Sequence, residues 1–202
     1  MDSIYGNHRP VMEAEMQRLL EDVERIRQKL AEKNGMDPVE HVLDRIKSEE
    51  SMREKCRRKQ LPETTESALF HIHDGIGIRI VCSFVSDVYS FCEEIRKLDH
   101  LTVMEEKDYI RHAKPNGYRS FHMIVKLSCG YFAEIQVRTI SMDTWAALEH
   151  HMKYKKQIGG NHSLIAEELK RCADELASTD ISMQTLRDMI VSGVNENEDS
   201  AC

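Results

Sequence analysis

The sequence predicts a fold of both helices and strands, with strand-like runs in the middle of the chain and helices around them. Three observations predict it. Short apolar runs, several alternating with polar residues, fill the middle of the chain: His71–Phe84, Leu101–Glu105, Phe121–Leu127 and Tyr131–Thr139. Segments with helical spacing of apolar residues occupy both ends and the gaps between strands. Turn-forming residues, Pro115-Asn116-Gly117 and Ser128-Cys129-Gly130, separate the strands.

In chain order, residues 10–34 read as an amphipathic helix. Pro10 suits its first turn, Val11, Met12, Met16, Leu19, Leu20, Val23, Ile26 and Leu30 supply its apolar positions, and Gly35 stops it. His41–Lys47 is ambiguous between helix and strand; as a strand it places Leu43, Arg45 and Lys47 on one face. Ser48 can cap a helix running to Lys59, with Glu49 and Glu50 at its positive end. On that helix Lys55 and Arg58 share a face. Gln60–Ala68, with Pro62, reads as a polar linker. Asp87–Leu98 is a short helix burying Val88, Phe91, Ile95 and Leu98. Ser141–Lys156 is a helix with Trp145, Leu148 and Met152 as its core stripe. Gly159-Gly160 breaks the chain before an amphipathic helix from Ser163 to about Val191, carrying Leu164, Leu169, Leu176, Leu186 and Ile190; the acidic tail Asn195–Cys202 is expected to fray. The domain layout is therefore a helical extension over 1–39, a core over 40–157, and C-terminal helices with an acidic tail over 158–202.

Composition narrows the function classes. The 202 residues are 31% charged and 41% hydrophobic, which suits one globular domain with helical extensions. No apolar run approaches the roughly 20 residues of a membrane span, and the N-terminus lacks the pattern of a secretory signal. Six scattered cysteines without a C-x-x-C pair argue against zinc and against a disulfide framework. The expected location is cytoplasmic, with no membrane partner. A net charge of −7 disfavours general nucleic-acid binding and leaves RNA at most a regulatory role. Within that acidic chain, Arg45 to Lys59 holds seven basic and three acidic residues, an island that needs an anionic partner or is a solvated helix face.

Three further features carry chemistry. The stretch Lys114-Pro115-Asn116-Gly117-Tyr118-Arg119-Ser120-Phe121-His122 packs a tight turn, an aromatic, two cations and a histidine at a strand entrance. It suits a grip on a flat anion, and equally a decorated hairpin turn. Asp74 stands beside Gly75 and Gly77, where a ligand can approach the backbone. In the strand Tyr131–Thr139, Ala133, Ile135 and Val137 face a core, while Glu134, Gln136 and Arg138 present carboxylate, amide and guanidinium in a row. The pair His71 and His73 lacks a third ligand and reads as ordinary side chains.

Taken in order, these segments resemble the RelA/SpoT synthetase domain. Asp74-Gly75-Ile76-Gly77-Ile78-Arg79 is similar to its D-x-x-G-x-R segment, Lys107-Asp108-Tyr109-Ile110 with Lys114–His122 to its guanine-nucleotide loop, and Glu134-Ile135-Gln136-Val137-Arg138-Thr139 to its catalytic strand. Met142-Asp143-x-Trp145-Ala146 and Glu149-His150 follow as in the family. Several motifs in fixed order are more specific than any one. The resemblance implies an α+β fold, a mixed β-sheet of about five strands flanked by helices, in a nucleotidyltransferase-like synthetase domain without the family's hydrolase domain. It implies a stand-alone small alarmone synthetase that moves pyrophosphate from ATP to the 3′-hydroxyl of GDP or GTP.

The same resemblance implies roles. Glu134 is the expected general base, and Asp74 the expected Mg²⁺ ligand, with Glu134 close to the metal. Arg45, Lys47, Lys55, Arg58 and Arg79 are expected on ATP, and Lys107, Lys114, Asn116, Tyr118, His122, Gln136 and Asp143 on GDP or GTP. Tyr118 would stack on guanine and Asp143 would accept from its N1 and N2. A homotetramer and allosteric control by (p)ppGpp are further implications. Two segments depart from the family pattern: Glu105-Glu106-Lys107-Asp108 stands for R-x-K-D, which bears on metal count and on GDP against GTP, and Gly75-Ile76 stands for Ile-Ala. The competing class is a non-catalytic nucleotide- or RNA-binding regulatory module on the same fold. A different nucleotidyltransferase is disfavoured by the lack of a paired-aspartate G-S motif.

Overall fold

The computed structural model describes residues 3–154 and 162–199. Five strands, β1 (Val39–Ile46), β2 (Ile76–Cys82), β3 (Leu101–Asp108), β4 (Phe121–Leu127) and β5 (Phe132–Thr139), form one sheet in the order β1-β2-β5-β4-β3. β2 and β5 run parallel and the other neighbours antiparallel, so the sheet is mixed. The ambiguous segment near residue 41 is strand β1.

One face of the sheet is core. Ile76, Ile78 and Ile80 of β2, Met123 and Val125 of β4, and Ala133, Ile135 and Val137 of β5 are all buried. Helices α1 (Arg9–Asn34) and α3 (Val85–Ile95) cover this face. Met12, Leu19, Val23, Ile26 and Leu30 form the buried stripe of α1, and Gly35 caps it in the left-handed conformation that lets its N–H reach the Ala31 carbonyl at 2.9 Å. Helix α2 (Glu49–Arg58) starts where expected: the Ser48 hydroxyl accepts from the Ser51 N–H at 3.3 Å, and Met52 and Cys56 anchor it. The opposite sheet face carries mostly polar side chains, alongside Leu43 and Ile124.

Several expectations are corrected. The supposed linker ends in a π-helical turn, Ser67–His71, because Ser67, Ala68 and Leu69 are drawn into the core. The tight turn before β4 takes its positive φ from Gly117 alone, with Asn116 in an ordinary conformation. Arg138 does not join the open polar row. Helix α4 (Ile140–Tyr154) begins two residues later and folds over the end of the sheet, so Arg138 is 2% exposed and bonded to Asp143.

On α4, Met142 and Trp145 are buried, whereas Leu148 and Met152 are exposed. Helix α5 (His162–Asp199) continues through the tail that was expected to fray, and Leu164, Leu186 and Ile190 point outward. Its inward stripe is Leu169, Ala173, Leu176, Asp180 and Arg187. Polar bonds dock it: the Trp145 indole donates to the Leu169 carbonyl at 2.7 Å, Thr139 donates to Asp180 at 2.6 Å, and Arg187 donates to Asp87 at 2.7 Å. The Gly159-Gly160 break lies outside the described residues. Among the described residues no helix is long and apolar enough to cross a membrane.

Candidate active site

Strand register builds the site on the open face. Arg45, Gly77, Glu134 and Ile124 lie in one row across β1, β2, β5 and β4; Leu43, Arg79, Gln136 and His122 lie in the next, with Lys107 of β3 opposite His122. Side chains in adjacent rows two residues apart share a face, so the expected carboxylate, amide, histidine and arginines converge. Gly77 carries no side chain, and the Arg45 side chain lies over it, 3.5 Å from where a Cβ would stand.

Two cavities open on this face. The first, about 280 Å³, is lined by Arg45, Asp74, Gly77, Arg79, Glu134 and Gln136 among others. The second, about 200 Å³, is lined by Glu105, Lys107, Tyr109, Lys114, His122, Ile124 and Glu134. Glu134 belongs to both. Its Oε1 lies 3.1 Å from His122 Nδ1, and its Oε2 accepts from Gln136 Nε2 at 2.9 Å. Burial acts to raise its pKa; hydrogen bonds from His122 and Gln136, with the charges of His122 and Lys55, outweigh burial and hold it at about 2. The other ring nitrogen of His122 meets the Tyr118 hydroxyl at 2.8 Å, so Tyr118, His122 and Glu134 form one chain of contacts.

On the other side of Glu134, Asp74 pairs with Lys55 and, at 3.2 Å, with Lys47. Its second oxygen, Oδ1, is buried without a hydrogen-bond partner. A buried carboxylate oxygen left unpaired is costly unless a cation meets it, and Mg²⁺ prefers such hard oxygen ligands. Asp74 and Glu134 on one cavity wall therefore fit a divalent ion held jointly with phosphate oxygens. Among the described residues no group of three or more His, Cys, Asp or Glu gathers to hold a metal by protein ligands alone.

The remaining expected residues divide. Arg79 lies 3.6 Å from Asp143, and burial, with Arg138 nearby, pushes its guanidinium pKa down. Asp143 is held by Arg138 at 2.9 and 2.5 Å, so its carboxylate already has cationic partners. Arg58 is exposed on α2 and lines neither cavity. Asn116 works inside the turn, accepting from the Tyr118 N–H at 3.2 Å and donating to Glu149 at 3.1 Å. The second loop cation, Arg119, is committed to α5 through the Ala173 carbonyl and Asp174 at 2.9 Å. Glu105 and Tyr109 line the second cavity without having been expected there; their positions in and just after β3, beside the His122 strand, were the available signal.

The loop's shape depends on Gly117. Its φ is +91° and a Cβ there would lie 2.6 Å from the Ala173 Cβ on α5. Gly117→Ala is expected to destabilise by about 1–2 kcal/mol from backbone strain alone, with more from the clash, and to weaken the second cavity's ligand. A thermal unfolding midpoint equal to the parent's would remove this role.

The sequence and the fold have known counterparts. Residues 44–159 match the description "Region found in RelA / SpoT proteins". The chain belongs to the RelA/SpoT family. It is 42% identical over 148 residues to the GTP pyrophosphokinase YwaC of Bacillus subtilis, covering 70% of each chain. It is 32% identical over 157 residues to the GTP pyrophosphokinase YjbM of the same organism, covering 74% of this chain and 72% of the relative. Its structure is similar to small alarmone synthetase 2 of Bacillus subtilis, with TM-score 0.78 and 36% identity over 91% of this chain and 98% of that one. The RelA/SpoT region starts within β1 and ends beyond α4, while the structural likeness extends into the flanking helices.

Proposed function

We propose that this RelA/SpoT protein is a GTP pyrophosphokinase that makes (p)ppGpp from ATP and GDP or GTP, as an alarmone synthetase of the stringent response. The observation that carries the proposal is Glu134 standing between two cavities of different character. One is lined by Arg45 and Arg79 beside Asp74, and the other by Lys107, Lys114, Tyr109 and His122. That is the arrangement a two-substrate transfer needs, with the base at the seam. A small alarmone synthetase of similar fold, TM-score 0.76 at 30% identity over 89% of this chain and 94% of that one, is described as bound to its product pppGpp.

In this reading the acceptor's 3′-oxygen attacks the β-phosphorus of ATP. An O–P bond forms there, the bond between that phosphorus and the α–β bridging oxygen breaks, and AMP leaves with that oxygen. The hydroxyl proton passes to Glu134. A base held at about pKa 2 by His122 and Gln136 is a weak one. Acceptor phosphates that draw His122 away would release Glu134 and strengthen it. Arg45, Lys47, Lys55 and Arg79 neutralise the polyphosphate, which supplies most of the rate in such transfers. Mg²⁺ held by Asp74 and Glu134 would add charge neutralisation at the phosphate oxygens. In the protein alone, Lys47 and Lys55 neutralise Asp74.

Incubation with ATP, Mg²⁺ and GDP or GTP, followed by anion-exchange chromatography, tests the proposal: AMP and a 3′-pyrophosphorylated nucleotide should appear together. Bound nucleotides without product would favour the regulatory-module reading. Tyr118→Ala should weaken the guanine nucleotide by about 1–3 kcal/mol, on the analogy of base–aromatic stacking, and spare ATP. Equal losses for both substrates would reduce Tyr118 to shaping the loop. Cytoplasmic location, a homotetramer and allosteric (p)ppGpp belong to the same proposal. The exposed Leu148, Met152, Leu164, Ile181, Leu186, Met189 and Ile190 of α4 and α5 support self-association.

A further inference from the structure

The aromatic face expected to receive guanine is closed. Tyr118 does not line the second cavity, although its neighbours Tyr109, Lys114 and His122 do. Lys114 accounts for this. Its ammonium lies 4.8 Å from the Tyr118 ring centroid and 4.4 Å from that of Tyr109, above both rings. The rings stand at 69° with centroids 6.2 Å apart, so one cation serves both faces. The turn holds the lysine in place, since its backbone N–H donates to the Tyr118 carbonyl at 3.1 Å and its carbonyl accepts from the Gly117 N–H at 2.8 Å. Tyr118 is fixed from other directions by the His122 contact and by Trp145, 6.5 Å away between ring centroids.

We propose that Lys114 is a phosphate-operated gate on a base slot whose two walls are Tyr109 and Tyr118. The inference rests on the acceptor-site reading given above. An ammonium over tyrosine rings at an exposed site is weakly held, whereas an ammonium on phosphate makes a charge-assisted bond. The 5′-phosphates of an arriving nucleotide therefore draw Lys114 off the rings, and the purine stacks on the Tyr118 face it leaves, with the Tyr109 ring, at 69° to that face, against its edge. A nucleoside without phosphate has to displace the ammonium and gives it nothing in return. The slot thus selects for phosphorylated acceptors before any chemistry occurs, and Tyr109 becomes a base-binding residue alongside Tyr118.

The gate gives Lys114→Ala opposite effects on two ligands that share a base. Calorimetric titration of the full chain with guanosine and with GDP measures both. Guanosine should bind the variant about threefold to tenfold more tightly than the parent, the factor expected from one or two exposed cation–π contacts. GDP should bind it at least about tenfold more weakly, having lost a phosphate partner. Lys114→Arg, which keeps a cation over the rings, should leave guanosine as weak as in the parent. Guanosine affinity that is unchanged, reduced or undetectable in Lys114→Ala, while GDP still binds the parent, overturns the gate and leaves the acceptor site standing. Failure of GDP to bind the parent overturns both.

Discussion

Glu134→Gln should lower turnover by a factor of about 10² to 10⁴, the range for loss of a positioned general base, while guanine-nucleotide affinity stays nearly unchanged. The amide keeps an oxygen that can accept from His122 and keeps the volume of the shared wall, so both cavities retain their shape. What disappears is the site that takes the 3′-hydroxyl proton. Single-turnover kinetics with both nucleotides saturating isolates that step from binding. Because the carboxyl is held well below its ordinary range, at about 2, in the free protein, an acidic limb in the parent's kcat/KM profile near pH 5 should not report Glu134, and its midpoint should persist in the variant's residual rate. Turnover within tenfold of the parent would pass the role of base to another group.

The second large effect is on stability. Arg187→Met leaves Asp87, 1% exposed, as a buried charge without its guanidinium, and removing one partner of a buried pair costs about 3–5 kcal/mol. Burial already pushes the Asp87 carboxyl pKa up, and Arg187 pulls it back. Without Arg187 the folded pKa rises further above the unfolded one. A carboxyl shifted upward loses stability as pH climbs from its ordinary value through the raised one, because the unfolded chain releases the proton first. The deficit should therefore be smaller near pH 5 than near pH 7.5. Urea midpoints at both values measure it, and the double variant Asp87→Leu with Arg187→Met should recover most of the loss. A deficit that is the same at both pH values would show that Arg187 does not set the ionisation of Asp87.

The sheet was legible because its residues obey a simple period. Ala133, Ile135 and Val137 alternate with Glu134 and Gln136, and the open face that results is the site. Glu134, Asp74, Arg45, Arg79, Lys107, Lys114 and His122 were expected from the resemblance, and the structure brings them around two adjoining cavities. Tertiary cover was not legible. Arg138 obeys the period of β5 yet is buried, because the fold-back of α4 is decided by contacts distant in sequence. The stripe of α5 was half missed for a related reason: Asp180 and Arg187 look like surface residues until Thr139 and Asp87 are seen to meet them. Lys114 was expected on the guanine nucleotide, and only the geometry reveals that it lies over Tyr109 and Tyr118.

The parallel pairing of β2 with β5 has a consequence for how the protein comes into being. Ile76, Ile78 and Ile80 leave the ribosome well before the strand that will lie beside them, and β3 and β4 must be made first. Until β5 arrives, that side of β2 is an unpaired, apolar strand edge, which is where nascent chains aggregate. Gly77 and Glu134 meet at the same event, through a contact between distant parts of the chain that forms slowly. A partly synthesised chain therefore holds Asp74 with Lys47 and Lys55 but not the strand that carries Glu134. Both cavities that Glu134 lines are therefore completed only by the last strand to be made.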